Sequence, residues 1–125
     1  MHELSIAVRV VELAAARCRE AGGEAVTAVT LRVGRLAAVH AASLEAAFGI
    51  AREGTLLAGA TLRIIDVPVR VWCGHCRAEA DLDHVVPLAC PACRRPTGDL
   101  RGGRELELES LEVCGRQDMP WEVTT

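Results

Sequence analysis

Two Cys-x-x-Cys pairs restrict what this 125-residue chain can fold into more than any other feature of its sequence. Cys73 and Cys76 form the first pair, and Cys90 and Cys93 form the second pair after thirteen intervening residues. Each pair predicts a short turn that aims two sulfur atoms at one point, and two such turns together predict a tetrahedral site. Because four thiolates leave no open coordination position, the spacing favours a structural zinc ion whose binding stabilises the fold.

Disulfides, a rubredoxin-like iron site and an iron–sulfur cluster are alternatives that the same spacing allows. The first five residues contain no basic region leading into an apolar run, so we expect no signal peptide and a cytoplasmic location. Cysteines stay reduced in that compartment, which argues against disulfides and favours zinc.

The composition excludes several classes of protein. Half of the residues are apolar, which argues against a disordered chain. No apolar run approaches the roughly 20 residues of a membrane span, so we expect no membrane insertion. The net charge of -3 argues against nucleic-acid binding. We find no glycine-rich phosphate loop, nucleophile elbow or carboxylate dyad, so we expect no enzyme activity.

Outside the cysteine pairs, the chain alternates between helical and strand periodicities. Apolar residues spaced by three and four predict a first helix that Gly22-Gly23 ends, and a second helix over 41–53 that His40 or Ser43 caps. Strict alternation predicts three strands, over 25–33, from Leu62 onward and after Gly102-Gly103.

This order of elements predicts an α+β fold. We expect a small three-stranded sheet with two helices, formed by residues 1–70 and 104–125, plus an inserted zinc-ribbon-like four-cysteine module over 71–103. Because residues 72–103 show little periodicity, we expect them to build no core of their own and to depend on the metal. From about Gly115 onward we expect a polar tail.

The first three residues form a second candidate metal site. The α-amine of Met1, the backbone nitrogen of His2 and the imidazole Nδ1 of His2 can place three nitrogens in one plane. Glu3 can add a fourth donor, through either its carboxylate or its backbone nitrogen. Planar, nitrogen-rich sites suit Ni(II) and Cu(II).

Taken together, these motifs resemble the HypA/HybF family of nickel-insertion accessory proteins for [NiFe]-hydrogenase maturation. The resemblance rests on the Met-His-Glu-Leu-Ser start, on Ser43-Leu44 and Ala47-Phe48 in the second helix, and on the cysteine pairs before a Gly-Arg-Glu-Leu-Glu-Leu strand. It extends from Met1 to about Val113. Some family members have a histidine directly after a cysteine pair, where this chain has Arg77 and Arg94.

The resemblance implies a nickel-binding α/β domain and a zinc domain. It implies that Met1, His2 and Glu3 bind nickel and that the ligands of structural zinc are the paired cysteines, Cys73, Cys76, Cys90 and Cys93. The implied partners are a HypB-like maturation GTPase and the precursor of the [NiFe]-hydrogenase large subunit. The implied assembly is a monomer or a homodimer.

Two functions are consistent with these features. The first is a nickel metallochaperone that binds Ni(II) at its N-terminus and passes it on without catalysing a bond change. The alternative is a zinc-ribbon module for protein interaction or nucleic-acid binding, in which Met1-His2-Glu3 is accidental. We expect His84 to be a solvated loop residue and favour the same for His75, whose alternative roles are to replace a cysteine ligand or to tune thiolate basicity. We expect Cys18 to be a core residue and Cys114 to be a surface thiol.

Overall fold

A computed structural model describes residues 2–84, 87–115 and 119–125 of the chain. Two helices and seven strands form in that part of the chain. They are α1 (Glu3–Glu20), β1 (Ala25–Gly34), α2 (Ala41–Ala51), β2 (Thr61–Val67), β3 (Val69–Cys73), β4 (Ala78–Leu82), β5 (Leu100–Gly102), β6 (Leu106–Cys114) and β7 (Trp121–Thr124). Among the described residues, no helix has the length and hydropathy that crossing a lipid bilayer requires.

The chain divides into two compact units. The first unit comprises Met1–Leu31, Val39–Ile65 and Glu107–Thr125, and the second comprises Arg32–Ala38 and Asp66–Leu106.

The first unit contains both helices. Helix α1 buries one stripe of small and β-branched side chains with the spacing of a helix face, namely Ala7, Val10, Val11, Ala14, Ala15 and Cys18. The helix ends at Glu20, and Gly22 follows with a φ of 77°, a left-handed conformation that glycine adopts without a steric penalty. At the start of α2, the imidazole Nδ1 of His40 accepts a hydrogen bond from the Ser43 amide. Of the two caps expected from the sequence, His40 and Ser43, the structure therefore has His40.

A four-stranded sheet has the strand order β2-β1-β6-β7. The amide of Glu24 donates to the carbonyl oxygen of Cys114, and the hydroxyl of Thr27 donates to that of Glu112, so β1 and β6 run antiparallel. Buried aliphatic side chains fill the core of the first unit, including Val26, Val29, Leu31, Leu44, Leu57, Leu111 and Val113.

The expected α+β class with two helices and a four-cysteine module is confirmed, but the number of strands in the sheet is wrong. We expected three strands and a polar tail, whereas Trp121–Thr124 pairs antiparallel with Ser110–Val113 and adds a fourth strand. A segment of four residues is too short for an alternating pattern to stand out, and the exposed edge of β6 provides the pairing partner. Residues 116–118 of the expected tail lie outside the described part of the chain.

The second unit contains a three-stranded antiparallel sheet of order β4-β3-β5. The side chains of Val69, Val71 and Leu82 form a buried cluster, and three half-buried leucines pack against it: Leu36, Leu88 and Leu100. Residues 72–103 contribute Leu82, Leu88 and Leu100 to this cluster, whereas Val69, Val71 and Leu36 come from outside that span, so the segment builds no core by itself, as expected. Its apolar residues are too widely spaced to form a periodic pattern, and Leu36 comes from a distant part of the chain.

Gly34 and Gly103 hold two segments of the second unit together. The Gly34 amide donates to the carbonyl oxygen of Glu105, and the Leu36 amide donates to that of Gly103, both at 2.7 Å. A Cβ atom on Gly34 would lie 2.1 Å from the Gly103 oxygen, so only glycine permits this approach. Nearby, the Arg35 guanidinium pairs with Asp66 at 3.2 Å.

Candidate metal centres

Four cysteine sulfur atoms converge in the second unit. Cys73 ends β3 and Cys76 lies in the turn to β4, while Cys90 and Cys93 lie in the turn-rich segment before β5. The Sγ atoms of Cys73 and Cys93 are 3.6 Å apart, those of Cys76 and Cys90 are 3.9 Å apart, and all four lie within 4.8 Å of one another. Among the described residues, this is the one group of three or more His, Cys, Asp or Glu donors close enough to share a metal ion.

Matching backbone turns aim the two cysteine pairs at each other. In the first turn, the Cys76 amide donates to the Sγ atom of Cys73. In the second, the Arg94 amide donates to the carbonyl oxygen of Cys90, whose own amide donates to that of Arg95.

Both turns end in a left-handed residue, with φ of 52° at Arg77 and 64° at Arg94. The sequence analysis missed this conformation because arginine carries none of glycine's preference for it. The one sequence signal for this conformation was that each arginine directly follows a cysteine pair.

The thiols of the four-cysteine cluster differ in pKa. Hydrogen bonds from the backbone N–H groups of Cys93 and Ala92 lower the pKa of Cys90 to about 7. The neighbouring Cys93 thiol, together with desolvation, raises the pKa of Cys76 to about 12. The raised pKa of Cys76 opposes simultaneous ionisation of the four sulfurs, whereas a central divalent cation would stabilise all four thiolates.

Polar contacts fix the strand that carries Cys73. The hydroxyl of Thr97 donates to the carbonyl oxygen of Trp72 at 2.7 Å, and the Trp72 amide donates to that of Asp99. The Arg101 guanidinium lies 5.2 Å from the centre of the Trp72 ring and also pairs with the Asp99 carboxylate. These contacts hold the two cysteine segments against each other without using the sulfur atoms.

Two of the four cysteines in the cluster are buried. Cys73 and Cys90 are each 3% exposed, whereas Cys76 lies at the surface and Cys93 is half-buried. His75 and His84 are exposed and do not join the cluster, as expected of solvated loop residues.

The start of α1 presents the second predicted metal site. His2 is an exposed, extended residue directly before the helix, and its carbonyl oxygen accepts the first intrahelical hydrogen bond from Ile6. Met1 lies outside the described residues. The first N–H groups of a helix have no intrahelical acceptor, so the helix does not use the backbone nitrogens of His2 and Glu3.

The Glu3 carboxylate contacts the start of α2. Its Oε1 atom accepts a hydrogen bond from the His40 amide at 3.3 Å, across 37 positions of sequence. The backbone N–H groups of Glu3 and His40 lower the pKa of this carboxyl, so the group is ionised at neutral pH. Sequence analysis considered His40 only as a cap, and no local pattern could have paired it with Glu3.

The two lone cysteines lie in the first unit. Cys18 is fully buried on α1, as expected of a core residue, and desolvation raises the pKa of its thiol. Cys114 is half-buried at the end of β6, so it is less accessible than the expected surface thiol.

The chain is similar to proteins of known family. A family model described as "Hydrogenase/urease nickel incorporation, metallochaperone, hypA" matches residues 1–113. The Hydrogenase maturation factor HypA of Chloroflexus aggregans is 51% identical over 113 residues, which cover 90% of this chain and 99% of that protein. The Guanidine hydrolase-activating protein A of Synechocystis is 38% identical over 87 residues, covering 70% of this chain and 72% of that protein.

The fold also matches a solved structure. The solution structure of the Ni metallochaperone HypA from Helicobacter pylori has a TM-score of 0.67 to this chain at 24% sequence identity. The match covers 93% of this chain and 100% of the other. At this level of identity, the likeness is one of fold.

Proposed function

The chain belongs to the HypA family of nickel-incorporation metallochaperones that act in hydrogenase maturation, and from this premise we propose that it binds Ni(II) through its first three residues and delivers it to a [NiFe]-hydrogenase. The resemblance drawn from the sequence is thereby confirmed at the level of the family. In this proposal the nickel ion is cargo and the chain catalyses no bond change.

The exposed position of His2 at the start of α1 carries the nickel proposal. An exposed chelate can be approached by an acceptor protein, and a chelate of the α-amine of Met1, the amide of His2 and the imidazole of His2 requires no rearrangement of the helix. Micromolar affinity, worth about -8 kcal/mol, would hold the ion and still allow its release.

We propose that Glu3 supplies its backbone nitrogen as the fourth donor, and that the backbone N–H groups of His2 and Glu3 each release a proton to solvent as nickel binds. Coordination through the backbone nitrogen would release the hydrogen bond from that N–H to the Glu3 carboxylate but keep the longer-range bond from the His40 amide, which a carboxylate ligand would compete with. The carboxylate would then position the start of α1 against α2, and the donor set would consist of nitrogen atoms alone, which suits planar Ni(II).

We further propose that Cys73, Cys76, Cys90 and Cys93 hold structural zinc, within a module of residues 71–103. A Zn–S distance of about 2.3 Å places the sulfurs of a regular tetrahedron about 3.8 Å apart. Two of the six sulfur–sulfur separations, 3.6 and 3.9 Å, fit this value, and all six are within 4.8 Å. With four sulfur ligands the ion would have no open position, so its role would be to stabilise the second unit.

The proposed partners are a HypB-like GTPase and the large-subunit precursor of a [NiFe]-hydrogenase, in the cytoplasm. A second candidate client is a hydrolase, because the relative from Synechocystis is named as an activator of guanidine hydrolase. The family model likewise names urease beside hydrogenase. The alternative of a zinc-ribbon module without nickel is an outcome of the following experiment.

Calorimetric titration of nickel into the zinc-loaded protein tests the proposal. We expect one saturable site in the native chain, and its loss both in His2→Ala and in a variant with residues added before Met1, because the extension converts the α-amine into an amide. His75→Ala is the matched control, since His75 is an exposed histidine outside the proposed site. Equal affinity in the native, extended and His2→Ala proteins would refute binding at the terminus.

Substitution of Glu3 separates the two donor alternatives. Glu3→Gln keeps the backbone nitrogen and an oxygen that can accept from the His40 amide, so we expect nickel affinity within about twofold of native. A loss as large as that of His2→Ala would instead assign the carboxylate as a ligand. Zinc content is measured in each variant and should not change.

A further inference from the structure

Strand β7 lies beyond the part of the chain that the family shares. The family model ends at Val113, and the Chloroflexus aggregans relative is 99% covered by its alignment of 113 residues. Within the described residues, β7 lies at the edge of the four-stranded sheet and pairs with β6 alone. It thus occupies the side of β6 that faces away from β1.

The backbone groups that β7 covers can be identified from the register. The Thr125 amide donates to the carbonyl oxygen of Glu109 at 3.0 Å. Because hydrogen-bonded pairs alternate along an antiparallel ladder, the next two are Val123 with Leu111 and Trp121 with Val113. Without β7, the N–H and C=O groups of Glu109, Leu111 and Val113 would form an unpaired edge.

The pairing between β6 and β7 is short and brings two like charges together. The strand contributes four residues, and Glu122 lies directly opposite Glu112, where like charges disfavour pairing. Its largest side chain, Trp121, remains 39% exposed, with its ring packed near Gly115.

The Thr125 hydroxyl also donates to the carbonyl oxygens of Leu108 and Glu109, which anchors the C-terminal end of the pairing. Because Val123 is the one half-buried residue of β7 and its other residues are exposed, the strand can leave the edge without disturbing the buried core.

We propose that β7 covers the backbone edge of β6, and that when β7 leaves this edge, β6 pairs antiparallel with β6 of a second copy of this chain. A two-fold axis at Leu111 places Leu111 opposite its own copy, Glu109 opposite Val113 and Ser110 opposite Glu112. The edge groups of residues 109, 111 and 113 then meet their counterparts in hydrogen-bonding positions. No two glutamates face each other in this register, in contrast to the pairing with β7.

Two proline substitutions in β7 form a matched test. The Val123 amide belongs to a hydrogen-bonded pair and points at β6, whereas the Thr124 amide points away from it. Val123→Pro therefore removes a ladder hydrogen bond, and Thr124→Pro leaves the ladder intact. Sedimentation velocity of the zinc-loaded, nickel-free proteins over a range of concentrations measures their self-association.

We expect Val123→Pro to self-associate at least about fivefold more tightly than the native chain, the effect of one hydrogen bond on the opening of the edge. Thr124→Pro should behave as the native chain does. Glu122→Gln should self-associate less than the native chain, because it removes the opposed charge and strengthens the cover.

A peptide of residues 119–125 keeps the test decisive if Val123→Pro also perturbs the fold. Added in excess, the peptide should dissociate the Val123→Pro assembly, whereas the same peptide carrying Val123→Pro should not. The proposal is overturned if Val123→Pro keeps the native mass, if both proline variants associate equally, or if the peptide fails to compete. None of these outcomes bears on nickel binding, which the titration above tests separately.

Discussion

Replacing Gly34 by alanine should destabilise the second unit more than any other single-methyl addition at a glycine of that unit. The new Cβ atom would lie 2.1 Å from the Gly103 carbonyl oxygen and 2.2 Å from its carbon, whereas ordinary contacts begin at 3.4 Å. Both partners are backbone atoms, so no side chain can rotate away. The segments must separate by about 1.3 Å, the difference between the ordinary and the clashing distance.

This separation breaks the two hydrogen bonds that join the segments. The bonds from Gly34 to Glu105 and from Leu36 to Gly103 are 2.7 Å long, so they would lengthen to about 4 Å, beyond hydrogen-bonding range. At about 0.5–1.5 kcal/mol each, their loss lowers the free energy of unfolding by about 1–3 kcal/mol. The movement also withdraws Leu36 from the cluster around Val69.

Urea unfolding followed by tryptophan fluorescence measures the effect. A Trp121→Phe background leaves Trp72, on β3 of the second unit, as the reporter. The matched control is Gly98→Ala, since a Cβ atom on Gly98 meets no atom within 4 Å and this glycine has no positive φ. We expect the control to lie within about 0.5 kcal/mol of native. If Gly34→Ala unfolds at the same urea concentration as Gly98→Ala, the inferred close approach of the segments around Gly34 and Gly103 is refuted.

Three further predictions concern the metal sites and α2. Cys73→Ser/Cys90→Ser should lose bound zinc, measured by atomic absorption, and expose 72–103 to proteases; unchanged zinc stoichiometry would contradict the assignment. Because the pKa of Glu3 is lowered in the folded protein, its hydrogen bond with the His40 amide persists above the ordinary pKa of 4.5 and is lost only as the pH falls through the lower folded value. The NMR chemical shift of the His40 amide should follow this titration. Glu3→Gln should abolish the pH dependence of that shift. His40→Ala should cost about 1 kcal/mol in thermal unfolding by removing the α2 cap, and His40→Ser should restore it.

The features that sequence analysis predicted correctly are those with a local signal. Helix α1 has a continuous apolar stripe and is followed by glycine, so the helix predicted before Gly22-Gly23 is found there, over Glu3–Glu20. The spacing of the cysteine pairs likewise determines which sulfurs meet, because each pair is closed by a turn of its own. The helix and the turn that closes each cysteine pair depend on interactions within a few residues, whereas the meeting of the two pairs also depends on longer-range contacts such as that of Thr97 with Trp72.

The features that sequence analysis missed depend on residues far apart in the chain. The second-unit core requires Leu36 to join residues more than thirty positions away, and the Glu3 carboxylate meets the His40 amide only because α1 and α2 pack together. Strand β7 has too few residues for a period-two pattern and is recognisable only from the β6 edge that it covers. Long-range pairing of this kind leaves no periodic trace in the sequence.

The two proposed metal sites differ in ways that would keep their ions apart. Cys73 and Cys90 are buried and all four thiolate ligands are supplied from within the second unit, so an ion held there would leave only if the unit opened. His2, by contrast, is exposed and lies outside the regular helix, so an ion held there can be transferred while α1 stays folded. Ligand chemistry acts in the same direction, because nitrogen donors at an N-terminus suit planar Ni(II) and four thiolates suit tetrahedral zinc. If both proposed sites are occupied, retention at one and release at the other would follow from burial and donor type, with no need for a conformational switch between them.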